Sequence, residues 1–167
     1  IWNEGNHQYR ADSVILQIKD GRMQKANLMS SAFIVIQEDS TYFDQISSTE
    51  MTAYFDTTSA LQRFDALGGV QAVFYIEEND ALATVNKVNS KMLSAYFAEG
   101  QIDKIYYFES PKSDAYPTVQ LPQEDRRMKG FKWDPVRRPA GRADITLLEP
   151  RSSERAEYDA RPRAAFR

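Results

Sequence analysis

The feature that most constrains this chain is a hairpin that recurs along it. Residues 93–105 (LSAYFAEGQIDKI) read as a strand, a tight turn and a second strand. Residues 14–26 (VILQIKDGRMQKA) lie on that segment without a gap, at an offset of 79 (93 − 14). A third copy is MTAYFD at 51–56 followed by LQRF at 61–64, with a longer turn between them. Between the hairpins, 33–39 (FIVIQED) matches 74–80 (FYIEEND) in character at an offset of 41 (74 − 33). A period of about 41 residues predicts a stack of similar units, each burying an apolar face on its neighbours.

Inside each copy the apolar residues alternate, as a pleated strand requires, because successive side chains point to opposite faces. Val14, Leu16 and Ile18 share one face; Met51, Ala53 and Phe55 take the equivalent face, as do Leu93, Ala95 and Phe97. Asp20-Gly21 and Glu99-Gly100 supply the glycine that a tight hairpin uses for positive φ, and residues 56–59 form the third turn. Gly68-Gly69 punctuates the chain before another alternating run, Val70, Ala72, Phe74 and Ile76. Residues 86–95 carry the one helical pattern before residue 120, but their alignment with a strand of the earlier copy argues for strand. The expected fold is therefore all-β, either a sandwich whose inner faces pack together or an open stack of hairpins, and the fixed sequence period favours the stack.

Three regions follow. Residues 1–110 are the antiparallel repeat body. Five prolines (Pro111, Pro117, Pro122, Pro135, Pro139) make 111–140 an extended segment that packs on or closes the body, pinned by Tyr116, Phe131 and Trp133. Residues 141–167 are an Arg-rich tail or linker, with five Arg in 151–167 interleaved with Glu154, Glu157 and Asp159. The start, Ile1-Trp2-Asn3-Glu4, has no basic or apolar targeting pattern and reads as a processed or truncated end.

Residues for catalysis are scarce. His7 is the single histidine, so a Ser/His/Asp or Cys/His relay would have to use it, and its place in a polar terminal stretch argues against that; a His-rich metal site is excluded. With no cysteine, disulfides and Cys-ligated metals are excluded. A carboxylate calcium site at 77–80 (EEND) is the one metal candidate left, but the run lacks the spacing of a calcium loop and reads more readily as an exposed turn. Asp44 and Asp65 are candidates for a glycosidase pair, but nothing in the sequence brings them to one cleft. Gly68-Gly69 is not followed by the residues of a phosphate loop. A net charge of −3 argues against a nucleic-acid partner. The expectation is a non-enzymatic protein with no metal and no cofactor. What stands out is apolarity on both faces of 33–36 and 70–76 and at 105–108, which marks strands covered twice or a greasy interior.

Several segments carry a family resemblance: 42–47 (YFDQIS) with 51–55 (MTAYF), 69–75 (GVQAVFY), Asn86-Lys87, 92–97, 102–105, and the closing run from Tyr116-Pro117 through Leu121-Pro122 to 130–133 (GFKW) and Arg138-Pro139. Over residues 10–140 the chain resembles the OstA-like (LptA-type) family of lipopolysaccharide-transport proteins, in the form found in the Bacteroidetes. That resemblance implies a periplasmic β-jellyroll or folded-over stack of antiparallel hairpins, whose copies line up edge to edge as a bridge between inner and outer membranes. Its implied partners are lipopolysaccharide or a related lipid, other lipopolysaccharide-transport proteins paired through β-edges, and further copies of itself. The implied lipid-binding residues are the inward apolar positions Leu16, Ile18, Phe33, Val35, Met51, Ala53, Phe55, Phe74, Ile76, Leu93, Ala95 and Phe97. The Arg-rich tail has no counterpart in the family pattern. Two other readings stand beside this one: a β-repeat spacer that assembles by its edges without lipid, and, more distantly, a carbohydrate-active solenoid.

Overall fold

The structure is a computed structural model that describes residues 2–4, 6–79, 81–99 and 101–135. One compact unit runs to Trp133, and a second begins at Asp134. The Arg-rich tail, Arg138-Pro139 of the family motif, Asp80 of the acidic turn and Gly100 of the last hairpin lie outside the described residues.

The described chain is all-β, as the alternation demands. Nine strands form one antiparallel sheet: β1 (Trp2–Glu4), β2 (His7–Arg10), β3 (Ser13–Lys19), β4 (Arg22–Gln37), β5 (Phe43–Phe55), β6 (Leu61–Glu78), β7 (Ala81–Ala98), β8 (Gln101–Phe108) and β9 (Lys112–Pro117). The order is β1-β2-β4-β5-β6-β7-β8, with β3 also paired to β4 and β9 also paired to β7. Residues 86–95 belong to β7. The recurring hairpins are visible as recurring irregularities: the ladder slips two residues short of the turn at Gln17/Ile18 and Tyr96/Phe97, and one residue short at Tyr54/Phe55. Asp20 and Gly21 both have positive φ, 53° and 73°, which is the two-residue turn that matches strand twist.

The difference from the expected short hairpins is that β4, β6 and β7 are 16, 18 and 18 residues long and run straight through the segments that punctuate the sequence. β4 and β6 are creased near their middles, and β7 faces the crease of β6. In β4 the pair Ser30-Ser31 is left-handed (φ 63° and 54°), and in β6 so is Gly68-Gly69 (82° and 79°). Glu109-Ser110, between β8 and β9, repeats the conformation (58° and 57°). Registers jump there: Met29 pairs Glu50 while Ala32 pairs Ser48, so two residues of β4 face the single Thr49. Likewise Gly68-Gly69 face the single Lys91 between the Leu67–Met92 and Val70–Ser90 pairs. Such bulges bend a strand and raise its twist. The facing strands make room with a matched device, Ser48 Oγ donating to the Glu50 carbonyl (2.8 Å) and Ser90 Oγ to that of Met92 (3.0 Å). Gly68 is required for another reason: a Cβ there would sit 2.6 Å from Thr49 Cβ.

Because the bulges are neighbours across the sheet, they form one crease, and the sheet doubles over along it. Leu28 and Ile34 flank the crease in β4, Ile46 and Ala53 that in β5, and Phe64 and Phe74 that in β6, yet all six line one cleft. The closed part of the sandwich is a core of Leu28, Ala32, Ile34, Ile46, Met51, Phe64, Ala66, Val70, Ala72, Val88, Leu93 and Ala95.

The Pro-rich segment accounts for the doubly apolar strands. β9 pairs along the first half of β7, an edge position where Pro117 withholds no needed donor. Two 3-10 turns, Thr118–Gln120 and Gln123–Arg126, follow Pro117 and Pro122. The chain then crosses the outer face of one half-sheet. Leu121 and Met128 cover Val73, Tyr75 and Val85, while Met128, Phe131 and Trp133 cover Phe33, Val35 and Phe43. Gln45, fully buried, locks this strap: its Nε2 donates to the Phe43 and Arg126 carbonyls (3.1 and 2.8 Å) and its Oε1 accepts from Met128 N–H (2.8 Å). The Arg127 guanidinium lies 4.2 Å from both the Phe43 and Phe131 ring centres.

Candidate functional site

Doubling a sheet whose inner face is apolar leaves a cleft wherever the two halves do not interdigitate fully. Here that cleft holds about 380 Å³, inside the 300–1,000 Å³ range of small-molecule sites. It is lined from β2, β4, β5, β6, β7 and β8, so it crosses the strands rather than following one. Phe55, Phe74 and Phe97, with Ile36 and Ile105, are only half-buried although they point inward. Rings that face the interior of a sandwich and still reach solvent mark a wall, not a closed core.

The twelve sequence-derived positions separate into groups. Ala53, Phe55, Phe74, Leu93, Ala95 and Phe97 line the cleft. Met51 is fully buried in the core beside it. Leu16 pairs with Ala26, a cleft residue, and so shares its face, but β3 is an edge strand and Leu16 and Ile18 are 42% and 63% exposed. Ile76 follows Phe74 on the same face and is 43% exposed. Phe33 and Val35 are corrected: they point to the opposite face, under Met128, Phe131 and Trp133, while Ile34 and Ile36 face the cleft. Both faces of that strand are apolar, so its own alternation carries no indication of which one is inside.

Ala26, Leu28, Ile34, Ile36, Ile46, Leu61, Phe64 and Ile105 are wall residues that sequence reasoning passed over, and so are His7, Tyr9 and Asp44. Cross-strand pairing would have found several of them. Ala26 faces Ala53, and Ala53 faces Phe64, so one known inward residue fixes a whole row.

The polar members of the lining are His7, Tyr9, Asp44 and Ser59. His7 Nδ1 and Tyr9 Oη are hydrogen-bonded at 3.1 Å. Burial pushes the Asp44 carboxyl up to about 7; the Tyr75 N–H, donating to its Oδ1 at 2.7 Å, opposes that rise, and nearby Glu38 adds to it. Glu38 is itself raised, by burial and by Glu77 and Asp39. Asp65 lies on the other face, where it accepts from Ser94 Oγ (2.8 Å) and pairs with Arg63 (2.9 Å). Asp44 and Asp65 therefore do not share a cleft, and the glycosidase pairing has no geometric basis. Among the described residues no group of three or more His, Asp or Glu side chains is arranged to hold a metal ion. No protein-family model, no curated protein and no solved structure matches the chain.

Proposed function

We propose that this chain is a periplasmic lipid-carrying module without catalytic activity, which holds acyl chains of lipopolysaccharide or a related lipid and passes them along a bridge between inner and outer membranes. The observation that supports it is the largely apolar cleft, lined by β2 and by β4 to β8 and walled by half-buried phenylalanines. Each methylene withdrawn from water into such a wall contributes about 0.8 kcal/mol. At about 380 Å³ the cleft takes part of a large lipid, so a multi-chain cargo would rest on successive modules, with no single tight site to stop it. The lipopolysaccharide specificity and the compartment come from the resemblance of residues 10–140 to the OstA-like family.

Assembly follows from the borders of the sheet. β1 and β3 form one border and β8 and β9 the other, and each presents backbone groups that another strand can pair. Head-to-tail pairing with further copies or with other transport proteins would extend the cleft from one module to the next. The exposed β3 and β9 serve a lipid-free spacer equally well, so the test addresses cargo directly. A photo-crosslinking residue at 74 lies in the cleft, while at 75 it lies on the opposite face beneath Leu121. Labelling by lipopolysaccharide at 74 and not at 75 supports carriage. Equal labelling, or none in a folded protein that still associates in sedimentation, leaves the spacer.

A further inference from the structure

We infer that one end of the cleft is a polar pole, built by Asp44, His7 and Tyr9, that receives a hydrogen-bond-donating group of the cargo, an amine or a hydroxyl, and turns away carboxylates. The inference rests on the lipid-carrying reading and adds to it the chemistry of the group that anchors the cargo.

The pole is defined by register. His7 pairs with Ile36, and Ile36 pairs with Asp44, so the three form one row across β2, β4 and β5. The next row is Tyr9, Ile34 and Ile46. All six side chains line the cleft, and cross-strand partners share a face. The rest of the wall is apolar apart from Ser59, which belongs to the β5–β6 turn. An amphiphile lying along this wall meets polar groups of both hydrogen-bonding kinds at the Asp44 end.

Asp44 is the informative member. The β5–β6 ladder ends at Gln45–Val73, and the carboxylate picks up the next free donor, Tyr75 N–H. An asparagine would cap that N–H equally well without bringing a charge into an apolar wall. Among the described residues no Lys or Arg pairs with Asp44. A carboxylate has about four acceptor positions, and one N–H leaves most of them to a ligand. Glu38, with Asp39 and Glu77 around it, deepens the negative potential at this end. A cationic or neutral donor is favoured by that field, and an anionic head is repelled. Desolvation in the cleft amplifies both effects.

The test uses the full chain and three twelve-carbon probes, dodecylamine, 1-dodecanol and dodecanoate, titrated calorimetrically below their aggregation limits at about pH 8. The expected order of affinity is amine, alcohol, carboxylate, with the amine more than about tenfold tighter than the carboxylate. In Asp44→Asn the amine-to-carboxylate ratio falls to within about threefold while the alcohol still binds. Asp65→Asn, which removes the same charge from the outer face, leaves the ratio where it was. The inference is overturned if wild type binds all three alike, if Asp44→Asn leaves the ratio unchanged, or if Asp65→Asn moves it as far. In those cases the apolar cleft still carries chains. Binding of none of the three by the folded protein removes the lipid-carrying reading and the pole with it.

Discussion

Asp44 couples protonation to folding, and the direction of that coupling is fixed by its surroundings. Its carboxyl moves from an ordinary 3.8 in the unfolded chain to about 7 in the folded one, chiefly through burial. The folded state therefore holds the proton more firmly than the unfolded state. The associated stability is fully present below the unfolded value and is lost as pH rises from 3.8 to about 7. Above that range the folded protein bears the whole cost of a carboxylate in the cleft. At about 1.36 kcal/mol per pH unit the ceiling is near 4 kcal/mol, and partial contact with solvent brings the working figure to roughly 2 kcal/mol. Asp44→Asn removes the charge and keeps an oxygen for the Tyr75 N–H. The variant is expected to be about 2 kcal/mol more stable than wild type at about pH 8 and equal to it at about pH 4, a melting-temperature gain of roughly 4–8 °C in the first case. Thermal or urea unfolding of both proteins across this range is the assay, and taking the difference at each pH removes the background of other titrating groups. A variant less stable than wild type at about pH 8 would refute the reasoning, because it would mean that the native contacts stabilise the carboxylate. A difference that does not change with pH would refute it equally.

Three further outcomes follow from the packing. Gln45→Leu removes three hydrogen bonds, two of them to the strap (the Arg126 carbonyl and the Met128 N–H), and is expected to cost about 2–4 kcal/mol; limited proteolysis within 121–130 should then precede global unfolding, and simultaneous loss of strap and sheet would contradict it. Gly68→Ala adds a Cβ against Thr49 as well as a left-handed strain, whereas Gly69→Ala adds the strain alone into open space. The first should cost at least about 1 kcal/mol more than the second by urea unfolding, and equal costs would remove the crease contact from the account. Phe74→Asp, at the half-buried cleft wall, should leave a folded protein, while Val88→Asp, in the closed core, should unfold it; circular dichroism of both variants decides.

Much of the fold is legible in the sequence because strand alternation and turn chemistry are local. Asp20-Gly21 forms a turn wherever it is flanked by alternating apolar residues, and Met51, Ala53 and Phe55 declare one face without help from the rest of the chain. The crease is less legible. Ser30-Ser31 and Glu109-Ser110 are not glycine, and a left-handed conformation there costs about 1–2 kcal/mol per residue, which only the paired strands can offset. The crease also shifts the alternation: in β5 the inward residues are even through Ile46 and odd from Met51. A reader following period two across Ser48 and Thr49 arrives on the wrong face. At Phe33 and Val35 the ambiguity has a different source, since what makes that face buried is a strap some ninety residues away in sequence. Asp44 is visible in the sequence as one of many acids, and only the row His7–Ile36–Asp44 separates it from the others.

The cleft is a consequence of the crease rather than of any one strand. A flat sheet with this inner face would expose it, and two separate sheets would be free to close until their side chains interdigitated. Strands that are continuous through the bend hold the halves together at one end and let them part toward the hairpins. The residues distribute accordingly. Leu28, Ala32, Val70 and Val88, next to the bulges or within a few residues of them, are buried. Phe55, Phe74 and Phe97, farther from the bend, are half-exposed wall. Depth in the cleft is thus encoded as distance from Ser30-Ser31 and Gly68-Gly69 along the strand. Widening the passage needs no change in its lining; a longer reach beyond the crease suffices. That is why β6 and β7 keep alternating for 18 residues each when a self-contained hairpin would stop sooner.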